Sequence, residues 1–471
     1  MKRFLQLLWR RVLGRQTVPP APSQDPPSFP VPRGTQSEPP RLVRGERTLI
    51  VGVDFGTSST KVIWQDLSDN KFEILAWCPD ETGLRAFLLP STIDISNSKI
   101  YYGRPYEERT EGQVRLSSIK LCVLCRNNPN ICSCGNSFAH KGMVNLPGSI
   151  EIFPASAFAC MFLAHVFRTV ENTLQTRFPN DDLVIVWNVG CPMDYLDVTN
   201  RKNEWERMTG VALQIHKEKV DLTSTETLSH VASSLDSFVV PIQSERNFLV
   251  LPEGLAAVKA FLESAYAETK TYAIVDVGAG TTEVSFLFNG RDMKEQGHPL
   301  RPCYLADSTH PVGGLQIDSE LAKTWNCSIE EARTLKHQGR SNLPALTAVQ
   351  KICSQYVRTC WDIVKSRKLT AMNDKRFDLF IIGGGARLRP LQKALSSQGM
   401  PGSFVLEKAR QLQAPKSLRN RLAIQNDFDF LVNACGLASS LQWEYYPPHQ
   451  VSAMAPPKQK AKIDPDEYYP K

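Results

Sequence analysis

Two stretches of this sequence join a strand-ending aspartate to a turn of glycine and small hydroxyl residues. The first is LIVGVDFGTSSTKVIWQDL, in which Asp54 is followed by Gly56, Thr57, Ser58, Ser59 and Thr60 before Lys61 resumes a strand. The second is YAIVDVGAGTTEVSFLF, in which Asp276 is followed by Gly278, Gly280, Thr281 and Thr282. Residues of these types suit phosphate. Glycine lets backbone N–H groups approach phosphate oxygens closely, and the hydroxyls add donors. A carboxylate at the strand end can hold Mg²⁺, usually through its waters. Either stretch alone also reads as a structural hairpin, but their repetition in the two halves of the chain points to a duplicated fold. Neither has the G-x-x-x-x-G-K-[ST] spacing, so a P-loop is excluded for both.

A second constellation lies in KLCVLCRNNPNICSCGN, where Cys122, Cys125, Cys132 and Cys134 are spaced C-x₂-C-x₆-C-x-C. Four thiolates at this spacing can close around one Zn²⁺, with His140 and His165 as further candidates. Buried apolar thiols and redox-active thiols are the alternatives. Twelve cysteines in a long chain without a secretory signal suit a reducing compartment, so a cytoplasmic location is expected.

These groups must be carried by a folded body, and the composition provides for one. The chain has 471 residues, 42% hydrophobic and 22% charged, enough for two or three cores. Its net charge of +7 is concentrated at the N-terminus. The remainder is near neutral, so no nucleic-acid partner is expected. Residues 1–16 place Phe4, Leu5, Leu8, Val12 and, at the edge, Trp9 on one helical face, with Lys2, Arg3, Arg10, Arg11 and Arg15 mostly elsewhere. Such a basic amphipathic helix suits an anionic membrane surface, here the inner face of a membrane. A partner-docking helix, a frayed terminus and a targeting peptide are the other readings. Residues 17–46 are proline-rich and read as a disordered linker, and residues 444–471 as a disordered tail. No apolar run approaches the roughly 20 residues that span a bilayer.

Between the tails, β-rich runs (49–64, 183–189, 272–288 and 379–382) alternate with helical ones (155–178, 255–266 and 346–365), which indicates α/β architecture. The two hairpins resemble the phosphate-1 and phosphate-2 elements of the superfamily shared by actin, the 70-kDa heat-shock chaperones and sugar kinases. Further segments follow in that superfamily's order. LVLPEGLAAVKAF (249–261) resembles its first connecting helix, and PVGGLQIDSELA (311–322) the segment after phosphate-2. LFIIGGGARLRPLQKAL (379–395) resembles the adenosine motif, and NACGLASSL (433–441) the second connecting helix. ELAKTWNCSIEEARTLKHQ and the triple glycine resemble bacterial actin-like proteins, whereas the first half looks more chaperone-like.

The resemblance implies a duplicated ribonuclease-H-like, two-lobed actin-type ATPase fold, with lobe I at 47–270 and lobe II at 271–443. It also implies ATP or ADP with Mg²⁺. Asp54 and Asp276 would be the metal-side carboxylates. Gly56, Thr57, Ser58, Ser59, Lys61, Gly278, Gly280, Thr281 and Thr282 would cradle phosphates, and Gly383, Gly384, Gly385 and Arg387 would meet the nucleoside. Glu253 and Lys120 match chaperone residues that order the attacking water and reach the γ-phosphate, and with Asp276 they form the expected catalytic set. Three residues depart from the chaperone pattern: Glu283 replaces a second aspartate, and Gly385 and Ala386 replace Ser-Thr. The expected function is that of a chaperone-like ATPase without a peptide-binding β-domain, acting on a protein client or adaptor. A self-assembling actin-like filament or membrane-associated scaffold is the alternative, and a sugar-kinase-like phosphotransferase the second.

Overall fold

The computed structural model describes residues 45–104, 113–125, 139–140, 142–146, 151–192, 200–242, 246–264, 270–289, 303–310, 313–337, 376–388, 390–392, 405–410, 412–419 and 426–441, with a few isolated positions besides. The expected N-terminal helix at 1–16, nearly all of the linker and the tail at 444–471 lie outside the described residues, as does most of the expected helix at 346–365.

Lobe I is built on a sheet whose strands are β1 (Glu46–Phe55), β2 (Ser59–Asp66), β3 (Lys71–Ile74), β4 (Asp182–Cys191) and β5 (Phe248–Pro252). Their order is β5-β4-β1-β2-β3, and residues 89–90 add a short strand beside β2. β1, β4 and β5 run parallel, while β2 and β3 are antiparallel to their neighbours. β1 is central and apolar on both faces, as a strand covered on both sides must be. Leu49, Val51, Val53 and Phe55 share one face, as the two-residue period requires, and join one core. Phe55 stacks there on Phe162 with ring centroids 5.5 Å apart. Burial of each such side chain contributes about 1.5–3 kcal/mol.

Lobe II repeats the scheme with β6 (Lys270–Val277), β7 (Thr282–Asn289), β8 (Cys303–His310), β9 (Arg376–Ile382) and β10 (Val405–Arg410). The order is β8-β7-β6-β9-β10, again with an antiparallel three-strand meander followed by two parallel strands. This is the ribonuclease-H-like order twice over, the duplicated two-lobed fold of the actin type. β1 and β6 start at Glu46 and Lys270, one residue before the expected lobe boundaries.

The described helices are α1 (Ile119–Cys125), α2 (Ala155–Arg177), α3 (Asn200–Lys217), α4 (Thr227–Ser237), α5 (Glu253–Glu263), α6 (Gly314–Trp325), α7 (Ile329–His337) and α8 (Val432–Ala438). α6 ends where Asn326 turns left-handed at φ 51°, and Ser328 caps α7 by accepting from the Glu331 N–H at 3.1 Å. The segment at 249–261, which resembles the first connecting helix, divides into a strand end and a helix that starts two residues before the expected Leu255. Phe248–Pro252 is strand β5, and the helix begins at Glu253 once Pro252, extended at ψ 136°, has ended the strand.

α5 and α8 bind the lobes by exchanging partners. α5 continues from the lobe I sheet yet packs on β6 and β7 of lobe II, whereas α8 follows the lobe II strands yet packs on β1, β2 and β4 of lobe I. The two helices touch at Gly436, where a Cβ would stand 1.7 Å from the Ala256 carbonyl oxygen. Only glycine permits this approach. A further link lies at the sheet edge. Phe72 of β3 donates to the Ser417 carbonyl (3.1 Å) and accepts from the Arg419 N–H (2.9 Å), and the Arg419 guanidinium reaches Glu73 (3.2 Å) and Asp69 (2.5 Å). The segment after β10 thereby covers the exposed edge of the lobe I sheet.

Candidate functional site

The β1–β2 hairpin sets Asp54 directly across from Lys61, and the Lys61 Nζ donates to Asp54 Oδ2 at 3.0 Å. The turn between them is pinned from below. Gly56 N–H donates to the Asp54 carbonyl (3.0 Å), and the Ser91 N–H donates to the Ser58 carbonyl (3.0 Å). Ser58 is left exposed and Thr57 buried at the cavity wall.

The β6–β7 hairpin has the same register, with Asp276 across from Glu283. Its turn closes by a hydrogen bond from Gly278 N–H to the Thr281 carbonyl (2.9 Å). The first turn of α6 locks it from the other side, through Gly314 N–H to Gly278 O (3.0 Å) and Leu315 N–H to Ala279 O (2.8 Å). The segment expected after the second hairpin thus supplies, from Gly314, helix α6, whose amino end is tied to the second turn.

The two turns meet across one cleft. A Cβ placed on Gly280 would lie 2.7 Å from Thr57 Oγ1 and 2.6 Å from Leu121 Cδ2, so the second hairpin abuts the first hairpin and α1 of lobe I. A cavity of about 550 Å³ opens beside this contact. Among the residues expected from sequence, Asp54, Gly56, Thr57, Ser58, Ser59, Lys61, Lys120, Glu253, Asp276, Gly278, Thr281, Gly383, Gly384, Gly385 and Arg387 line it. Gly280 and Thr282 do not: Gly280 is buried in the hairpin contact, and Thr282, fully buried, pairs across β6 with Val277.

Lys120 is buried at 2% exposure and ion-paired to Glu253. Glu253 opens α5, and burial pushes its carboxyl up to about 7, against the pull of Lys120 and with Asp54 adding to the rise. Burial also raises Asp276, partly offset by the hydrogen bond it accepts from Asn433. Burial disfavours the Lys120 charge, but Glu253, Asp54 and Glu283 more than compensate and leave its pKa above the ordinary value. The site is therefore a crowded set of carboxylates with two lysines among them.

At the other end of the cavity, β9 runs into Gly383 at φ 78°, where a Cβ would be 2.2 Å from Asp276 Oδ1. The backbone therefore passes beneath the aspartate. Arg387 lies over the Phe430 ring, 4.7 Å from its centroid, and pairs with Asp427. Arg333 donates to Asp318 Oδ2 at 3.1 Å on the facing α6–α7 pair. Asp318, Arg333, Phe430 and Asn433 were not foreseen as site residues. Asn433 stands in the quoted NACGLASSL segment, but nothing in its spacing marks it.

This arrangement fits a phosphorylated ligand carrying a divalent cation. Thr57, Ser58 and Thr281 line the cavity at the hairpins, and the Glu253 and Asp276 carboxyls, raised by burial with the Asp54 charge adding to the rise, favour a countercharge. Among the described residues no group of three or more His, Cys, Asp or Glu side chains could hold a metal ion unaided. Mg²⁺ typically takes one or two protein carboxylates and completes its shell with phosphate oxygens and waters, which is what Asp54 and Asp276 would leave room for.

Of the cysteine cluster, Cys122 is 3% exposed within the lobe I core, and Cys125 ends α1. Cys132 and Cys134 lie outside the described residues. His140 falls on a two-residue strand, and His165 stacks on Tyr102 at 4.7 Å. Among the described residues no helix is long and apolar enough to cross a membrane.

No family model and no curated protein matches the chain. Among solved structures it aligns with the ethanolamine utilization protein EutJ from Carboxydothermus hydrogenoformans, at 14% identity and a TM-score of 0.37, over 83% of this chain and 89% of that one.

Proposed function

We propose that the chain is a Mg²⁺-dependent ATP-binding protein of the chaperone-like, actin-type class, whose lobes close on the nucleotide and thereby set affinity for a protein partner. The observation that carries this reading is the apposition of the two turns, Thr57 against Gly280, with Asp54 and Asp276 on one cavity. One turn from each lobe can grip one polyphosphate, so ligand binding and lobe closure become the same event.

The residues divide the work by position. The Thr57, Ser58 and Thr281 hydroxyls and the turn amides hold phosphate oxygens. Lys61 and Lys120 offset the charge that accumulates there, and Asp54 and Asp276 hold Mg²⁺, which supplies further charge neutralisation and orientation of the phosphates. Glu253, kept near neutrality in its pKa, is suited to take a proton from an attacking water. Arg387 and Phe430 offer flat surfaces to a base. The partner is a protein client or adaptor that docks on the lobes.

A direct test is small-angle scattering with ATP·Mg²⁺, ADP·Mg²⁺ and no nucleotide. The proposal expects a smaller radius of gyration with ATP·Mg²⁺, and identical profiles in all three states would overturn it. Lys61, which pairs with Asp54 and resembles the lysine that actins carry in their first hairpin, favours a second reading, an ATP-dependent filament or membrane-associated scaffold. Pelleting with ATP but not ADP supports that reading, and a monomer under both removes it.

A further inference from the structure

The most informative group that the sequence did not single out is Asn433. It lies in the first turn of α8, is 7% exposed and lines the cleft. Its Nδ2 donates to Asp276 Oδ2 at 2.6 Å. An ionised carboxylate can only accept, so the amide nitrogen must face Asp276, and the amide oxygen must point elsewhere. That oxygen is buried and has no hydrogen-bond partner among the described residues. A buried acceptor left unmet costs about 1–3 kcal/mol, and because the residue lines the cleft, a donor carried by a ligand bound there would relieve that cost.

The position of α8 gives the contact its meaning. The helix is seated on lobe I: a Cβ on Gly52 of β1 would fall 2.4 Å from both the Ala434 carbonyl and the Ala438 nitrogen, and Gly436 meets Ala256 at the contact described above. Asp276 belongs to the lobe II sheet. The Asn433–Asp276 hydrogen bond therefore crosses between the lobes, at the carboxylate closest to the nucleoside-side turn of Gly383.

We infer that Asn433 is a positioning residue that ties occupancy of the cleft to the interlobe helix pair. It fixes the rotamer of Asp276, and its amide oxygen accepts a hydrogen bond from a water bound to the cation that accompanies the nucleotide. The inference rests on the proposed ATP·Mg²⁺ site and adds a residue of the interlobe helix that links Asp276, one of the two carboxylates expected to hold the cation, to the lobe I sheet. A binding-competent Asp276 and a fixed α8 are then one state, with the metal strengthening the link.

The test is calorimetric titration of ATP into the full-length protein at a series of Mg²⁺ concentrations, with thermal melting of each variant alongside. Asn433→Leu keeps the volume and removes both polar atoms. It is expected to raise the Mg²⁺ concentration for half-maximal ATP binding about tenfold, while ATP affinity without metal changes less than about twofold. Asn433→Ser restores a short donor and acceptor, and is expected to fall between Leu and the wild type, a rescue that a packing role alone does not give. Should Asn433→Leu fail to fold, the Ser variant carries the same comparison. A Mg²⁺ dependence within twofold of wild type in the folded variant overturns the inference while leaving the nucleotide reading intact. A wild-type protein that binds no ATP at any Mg²⁺ concentration overturns both.

Discussion

Lys61 and Glu283 occupy equivalent positions in the two hairpins, one across the strand pair from Asp54 and the other across from Asp276, and both line the same cavity. The duplicated backbone therefore carries opposite charges at matched places. A cation supports the aspartate of lobe I, and a second carboxylate stands beside that of lobe II. The predicted consequence is unequal sensitivity. Glu283→Gln removes a negative charge beside Asp276 and is expected to weaken Mg²⁺-dependent ATP binding about three- to tenfold, about 0.7–1.4 kcal/mol. Lys61→Met is expected to weaken ATP binding with or without metal. Calorimetric titration in Mg²⁺ and in EDTA separates the two patterns.

The buried Lys120–Glu253 pair should be expensive to break and cheap to remove. Lys120→Met leaves Glu253 buried without its cation and is expected to cost about 3–5 kcal/mol, whereas Lys120→Met with Glu253→Gln should recover most of that loss. Urea unfolding of the two single variants and the double variant measures the coupling. Additive losses would contradict it.

Glu253 also gives the protein a pH dependence of defined sign. Its folded pKa of about 7 lies above the unfolded value of 4.5, so the native state holds the extra proton between these limits. This group's contribution to stability is thus present below about pH 4.5, falls as pH rises through that window and levels off above about 7. Melting temperatures between pH 5 and 8 should show the decline, and Glu253→Gln should flatten it.

Gly436 has no room for a side chain. Gly436→Ala forces α5 and α8 apart and is expected to destabilise the protein by about 3 kcal/mol or more, with loss of soluble yield. An unchanged melting temperature would show that the helices can separate freely. By contrast, Arg419 is about one-third exposed where it pairs with Asp69 and Glu73, so Arg419→Ala should cost only about 0.5–1 kcal/mol in denaturant unfolding.

The hairpins were legible because each is a local pattern. An apolar strand, an aspartate, glycine and hydroxyls within a few residues specify both the turn and its chemistry. Their duplication followed from the same short words, and the two sheets repeat it strand for strand. Residues brought in by tertiary packing were not legible. Asn433 reaches Asp276 only because α8 crosses to the opposite lobe, and Arg333 meets Asp318 across a helix pair. The burial of Lys120 depends on the meeting of α1, α5 and both hairpins. The short apolar run at 249–252 carries no period of its own, and only its pairing with β4 makes it a strand, while the helix expected from Leu255 begins two residues earlier at Glu253.

The most direct test of the account is the ATP affinity of Asp54→Ala, Asp276→Ala and the double variant, measured by calorimetry with and without Mg²⁺. If both turns hold one nucleotide, each single variant loses at least about tenfold in affinity with Mg²⁺ and little without it, and the double variant loses less than the two effects combined. Wild-type affinity in either single variant, with Mg²⁺ present, would contradict the shared site.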